Sequence, residues 1–277
     1  MGFTGLLEQF EFDCRVRNLS PSTIETYGNV ITYFRKWVSK ELRIPFEQVS
    51  KTSIQRYILA LRAKGDSDHT VNSRIRMLKI FFKYLERENL WSTGNPMMGI
   101  SFIKAERRLK PVLSPTDISR LMAVPNRRRF FGHRDYVIMM VLYDTLIRIS
   151  ECIGIKVADV DLGEGTIKVF GKGRKERVVP IGQHLRRELH LYAVKWRKHI
   201  PDSASPLFPR RGGGFLDISG IRWAIKKYGR KAGVKVYPHL IRHSGATFWI
   251  QNGGQPFYLQ NLMGHTSMQI TQAVSHS

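Results

Sequence analysis

Between residues 20 and 90 apolar side chains return every three or four positions, and a chain with that rhythm buries them by packing helix on helix. Ile24, Tyr27, Ile31, Phe34 and Val38 form one stripe, and Val71, Ile75, Leu78, Phe82 and Leu85 form a second. Steps of three and four keep each set on one face, because a helical turn takes 3.6 residues. The first stripe starts behind Ser20-Pro21, a hydroxyl N-cap followed by proline at the first helical position, where its missing N–H leaves no bond unmade. Arg74, Arg76, Lys79 and Lys83 lie off the second stripe, so that helix turns apolar groups inward and cations outward. Residues 1–103 are therefore expected to form an all-helical domain.

The pattern changes after a basic, proline-broken stretch at residues 101–113 (SFIKAERRLKPVL). A linker is expected at 104–113 and a second domain over 114–277. That domain opens on Ser114-Pro115-Thr116-Asp117, again a cap, a proline and an acid in the first turn. Residues 136–143 (YVIMMVLY) are apolar on every side and read as a buried helix, far too short to span a bilayer. Residues 165–181 (GTIKVFGKGRKERVVPI) place two β-branched runs around a glycine- and lysine-rich turn, which predicts a hairpin. Helical character returns at 183–198, a loop at 206–215 (PLFPRRGGGF), and a basic helix at 218–232. The expected fold class is mainly α with a small β-sheet: an all-helical domain followed by a mixed α/β one.

Charge narrows the partner. The 277 residues carry 45 Lys and Arg against 22 Asp and Glu, a formal net charge of +23. Self-repulsion on that scale is relieved by a polyanion, and nucleic acid ranks ahead of an anionic membrane surface. Cys14 and Cys152 lie far apart and match no metal-ligand spacing. They read as free thiols of a cytoplasmic protein without a signal peptide or membrane span.

Four short clusters carry candidate chemistry: residues 145–151 (TLIRISE), with Arg148 and Glu151 three apart; the hairpin tip 171–175 (GKGRK); residues 238–243 (PHLIRH), with His239 and Arg242 three apart on one helical face; and residues 263–265 (MGH). Singly, each has a plain structural reading: an ion pair, a solvated turn, a capping or core histidine. In this order they resemble the tyrosine recombinase, or phage integrase, family, whose blocks run R-x-S-E, GKGxKxR, H-x-x-R-H and (L/M)-G-H. The stretch KKYGRKAGVK at 226–235 and the early phrase LSPSTIETY at 19–27 agree with it, and the resemblance covers most of the chain.

The resemblance implies a helical core-binding domain and a catalytic domain closing as a C-shaped clamp on double-stranded DNA. Arg148 and Arg242 match a pair of guanidiniums that clamp the non-bridging oxygens of the scissile phosphate. Such a pair stays charged at any working pH. Lys172 matches the general acid on the leaving 5′-oxygen, and His239 a histidine assisting proton transfer at the nucleophile. His265 matches a hydrogen-bond donor to the phosphate, and Glu151 an acid that orients its neighbours. Further DNA contacts are expected from Arg74, Arg76, Lys79, Lys83, Arg174 and Lys175. No metal or other cofactor is implied, because a covalent protein–phosphate linkage conserves the bond energy for rejoining.

Two positions depart from the family pattern. Its nucleophile is a tyrosine about nine residues after the Gly-His, and here that position is Val274, whose side chain has no oxygen. Tyr258, Tyr237 and Ser275 stand elsewhere than the family's nucleophile. Leu146 stands where the family usually has glycine; it either crowds the turn before Arg148 or packs into the core. The chain also stops at Ser277, before the helix through which family members assemble as tetramers on paired sites, which puts that homo-oligomer in doubt. The expectation is a site-specific recombinase or integrase that binds DNA without cleaving it. Its rivals are a non-enzymatic DNA-binding regulator on the same fold, a type IB topoisomerase, and a basic RNA-binding protein. The last lacks an aromatic RNA-recognition signature.

Overall fold

Serine caps open four of the helices, and two of them, Ser20 and Ser114, are announced by the sequence. The computed structural model describes residues 2–104, 111–171, 176–197 and 205–264. Ser20 Oγ accepts the Thr23 N–H at the head of α2 (Pro21–Trp37), which follows α1 (Phe3–Val16). Ser50 and Ser67 cap α3 (Lys51–Ala63) and α4 (Asp68–Arg87) in the same way. These four helices lie in the first of two compact units, residues 1–108. Both apolar stripes face its core: all five residues of the second are buried, and of the first only Tyr27 is partly exposed. Aromatic rings fill the centre. Phe34 meets Tyr57 edge-on at 4.9 Å, and Phe82 meets Trp91 at 5.1 Å. Where the helical unit ends, Asn72 on α4 holds Ile103 at both backbone atoms, donating to its carbonyl and accepting from its N–H, each at 2.8 Å.

The second unit, residues 109–277, opens with α5 (Pro115–Ala123). Ser114 and Asp117 exchange cap hydrogen bonds there, as the sequence leads one to expect. The all-apolar run lies in α6 (Phe130–Asp144), which is buried along nearly its whole length. Its first turns add His133, Arg134 and Asp135, three polar residues that the core also encloses. The short α7 (Ile149–Ile153) leads into a three-stranded antiparallel sheet in the order β1 (Val160–Asp161), β2 (Thr166–Phe170), β3 (Glu176–Pro180). The predicted hairpin is β2–β3, with Val169 opposite Arg177 and Phe170 opposite Glu176. Strand β1 is a two-residue edge too short to leave a periodic signal.

Four helices follow: α8 (Gln183–Tyr192), α9 (Ile218–Ala232), α10 (Pro238–Gln251) and α11 (Pro256–Met263). Helices α6 and α10 touch at backbone distance. A Cβ on Gly245 would collide with the Tyr143 carbonyl, so only glycine lets the two helices come this close. The fold is mainly helical with one small sheet. No helix among the described residues is long and apolar enough to cross a membrane.

Candidate functional site

The end of α6 leads directly into the first candidate block. Thr145 closes the helix, and Leu146 then takes φ +56°, the left-handed region that glycine enters without a clash. Its side chain is nonetheless buried, packed with Ala246, Leu259 and Met263. Of the two readings of this leucine, packing into the core is the one its burial supports. It sits in the backbone conformation that makes glycine natural there, and its side chain joins α6, α10 and α11. The turn it makes delivers Arg148 to the head of α7.

Glu151, three residues on, organises the site. Its Oε2 accepts the Arg148 backbone N–H at 2.8 Å, and its Oε1 accepts from the Arg148 guanidinium at 2.9 Å. A second guanidinium, Arg177 on β3, adds a two-pronged pair, to Oε1 at 3.1 Å and Oε2 at 2.9 Å. Burial alone would push the Glu151 carboxyl up. The hydrogen bonds from Arg177 and then Arg148 overcome it and hold the group below the usual glutamate range.

The third guanidinium is that of Arg242 on α10. It is only 2% exposed, and its pKa is brought down to about 10, first by burial and then by the positive charge of Arg148. All three arginines also converge on the last turn of α11. Arg177 Nε donates to the Leu262 carbonyl at 3.3 Å, Arg242 to Met263 at 2.9 Å, and Arg148 to Gly264 at 3.1 Å. A helix C-terminus offers such unpaired carbonyls at the negative end of its dipole, which suits cations. Gly264 ends the helix at φ +60°. A Cβ there would also lie 3.1 Å from Arg177 Cζ, which gives the glycine of the MGH block two physical reasons.

The structure brings Arg148, Glu151 and Arg242 together. His239 lies one turn before Arg242 on α10 and is exposed, while Arg242 is buried. Lys172, Arg174, Lys175, His265 and Val274 lie outside the described residues. The four α4 cations divide. Arg74 is held within its own unit by Asp66 at 3.4 Å, the Tyr57 hydroxyl at 3.3 Å and the face of Tyr33. Arg76 and Lys79 flank the half-exposed ring of Phe102, and Lys83 is exposed. Arg177 is the site residue that motif reading passed over. It is the last letter of GKGxKxR, but beside Glu176 at the start of a short strand reading ERVVP it carries no local sign of burial.

Three guanidiniums around one carboxylate leave a surplus of two positive charges among the described residues. Their N–H groups are suited to an oxyanion of matching charge. No three His, Cys, Asp or Glu side chains of the described residues gather in a group that could hold a metal.

Comparison with known proteins gives the same direction. The phage integrase family matches residues 111–277, and the N-terminal SAM-like domain of phage integrases matches residues 6–91. The tyrosine recombinase XerC of Thermodesulfovibrio yellowstonii is 33% identical over 264 residues, which cover 93% of this chain and 86% of that protein. Among solved structures, the XerA recombinase is 27% identical with a TM-score of 0.56, covering 99% of this chain and 94% of that one. A lambda integrase dimer bound to a COC′ core site is 14% identical with a TM-score of 0.79, covering 99% and 77%, a likeness of fold.

Proposed function

The chain belongs to the phage integrase family of tyrosine recombinases, a class of enzymes that cleave and rejoin DNA, and from that premise we propose that it binds double-stranded DNA and sets one backbone phosphate against Arg148 and Arg242. The observation that carries this reading is the gathering of three arginines from α7's head, β3 and α10 around a single buried glutamate. In a phosphoryl transfer the phosphate gains negative charge as the nucleophile adds. Guanidiniums already in place stabilise that charge without reorganising. Lys172 would protonate the leaving 5′-oxygen, His239 would assist proton transfer at the nucleophile, His265 would donate to the phosphate, and Glu151 would orient the arginines.

In the family reaction a tyrosine hydroxyl forms a bond to phosphorus, the 5′-oxygen leaves with a proton, and a 3′-phosphotyrosine links protein to DNA. Val274 stands at that tyrosine's position and has no atom that can attack. The chain as it stands therefore binds DNA without the covalent step. The same valine favours a second reading, a DNA-binding regulator that keeps the fold and has given up cleavage.

Supercoiled plasmid tests both without knowledge of the target site. The chain as it stands is expected to give neither relaxed DNA nor SDS-resistant complexes, and Val274→Tyr is expected to give both. If Val274→Tyr yields no adduct even on a binding site selected from random duplexes, the regulator becomes the better account. An adduct formed by the unaltered chain would overturn the assignment of position 274.

A further inference from the structure

Arg177 and Arg148 share Glu151 unequally. Arg177 presents two N–H groups, one to each carboxylate oxygen. The Arg148 side chain gives the acid only one bond, to Oε1, and turns its other terminal nitrogen to the Gly264 carbonyl. The exposures differ in the same sense: the Arg177 side chain is 19% exposed and that of Arg148 41%. The acid itself is 3% exposed, so its charge is held by these two partners and not by water. A fork-to-fork guanidinium–carboxylate pair is the strongest arrangement the two groups can make, and here Arg177 occupies it.

We propose that Arg177 is a positioning residue whose task is to serve as the counter-ion of Glu151, leaving the charge of Arg148 available to the scissile phosphate. The inference rests on the reading of Arg148 and Arg242 as the phosphate clamp. With Arg177 in place, three cations face one anion and the surplus is two, the charge a phosphodiester reaches when a nucleophile has added to it. Without Arg177 the buried Glu151 turns to Arg148 alone and draws it into the two-pronged pair. The surplus falls to one, and Arg148 faces the acid instead of the DNA. The low-lying Glu151 carboxyl, for which Arg177 is the foremost favourable cause, agrees with this division. The bond from Arg177 Nε to Leu262 adds a second task, tying β3 to the α11 turn where all three arginines meet.

Inorganic phosphate, which carries close to two negative charges above neutral pH, is the probe, and its binding to the full chain is read from 31P line broadening. Binding at the cluster is the part that Arg148→Gln abolishes. Arg177→Gln is expected to weaken that part about tenfold. Removing the acid's charge as well, in Arg177→Gln with Glu151→Gln, is expected to restore it to within about threefold, because the two changes are coupled through one pair. Arg177→Lys, which keeps the charge but not the fork, is expected to fall between. The 13C titration of the Glu151 carboxyl should move upward in Arg177→Gln. Unchanged phosphate binding in Arg177→Gln overturns the proposal, as does a double variant no better than the single one. Should Arg177→Gln fail to fold, Arg177→Lys and the double variant carry the test. If Arg148→Gln removes no phosphate binding at all, it is the clamp that fails, whatever Arg177 does.

Discussion

Asp135 and Glu151 are both carboxylates buried in the second unit beside arginine, and they end on opposite sides of their ordinary range. Asp135 accepts two bonds from Arg134 on one oxygen, at 2.9 and 2.7 Å, and one from the Tyr228 hydroxyl on the other at 3.0 Å. The third guanidinium nitrogen of Arg134, Nη1, donates to the Pro209 carbonyl. One cation meets one anion, both enclosed, and burial still pushes the Asp135 carboxyl up. Glu151 is just as enclosed, but two arginines bond to it directly and a third stands in its field, so its carboxyl is held down. A balanced pair closes on itself and joins α6, α9 and the 206–215 loop. An unbalanced one keeps charge in reserve for something from outside.

The largest effect expected from this contrast is in the balanced pair. Arg134→Gln leaves Asp135 buried without its cation and should cost about 3–5 kcal/mol in denaturant unfolding at neutral pH. DNA affinity per folded molecule should be unchanged. Next comes the turn that delivers Arg148. Leu146→Gly relieves roughly 1–2 kcal/mol of left-handed backbone strain but gives up a buried side chain worth roughly 2–5, a net loss of about 0–4 kcal/mol. A gain in stability there would show that the leucine crowds its turn more than it packs. Smaller again is Arg242→Gln, since the residue removed is buried among like charges. Stability should move by about 1 kcal/mol or less, while phosphate and DNA binding at the cluster are lost. A loss as large as that of Arg134→Gln would erase the distinction between the two clusters.

The smallest effect is in the pH dependence, and its sign separates the two acids. The folded Glu151 carboxyl lies below its ordinary 4.5, so its contribution is fully present above that pH and is lost as pH falls through the folded value. Glu151→Gln should therefore flatten the fall in stability below about pH 4.5. Asp135 is raised, so its protonation opposes acid unfolding. The penalty of Arg134→Gln should accordingly shrink as pH falls. Urea midpoints collected from pH 7 to 3 read both trends.

These two clusters also show where sequence reading stops. The helical stripes, the Ser20 and Ser114 caps and the β2–β3 hairpin were legible because each depends on neighbours a few positions away, through a period or a turn. Arg148, Glu151 and Arg242 were legible because they fall in blocks of fixed spacing. Arg177 closes the GKGxKxR block as well, but its role was not legible, since its partners Glu151 and Leu262 are distant in the chain and only the packing of β3 on α7 and α11 reveals them. Arg134 and Asp135 drew no reading from the sequence, for burial of a charge follows from tertiary contacts and leaves no local mark. The left-handed turn at Leu146 was half visible: the family's glycine marks the conformation, and the leucine conceals it.

The reserve of positive charge around Glu151 is the centre of this account, and adduct formation tests it most directly. Supercoiled plasmid should be captured covalently by Val274→Tyr, and at least about a hundredfold less when Arg242→Gln is added, the scale on which one oxyanion-stabilising donor is felt in phosphoryl and acyl transfer. Capture that persists undiminished without Arg242 would mean that the arginine cluster is not where the phosphate sits.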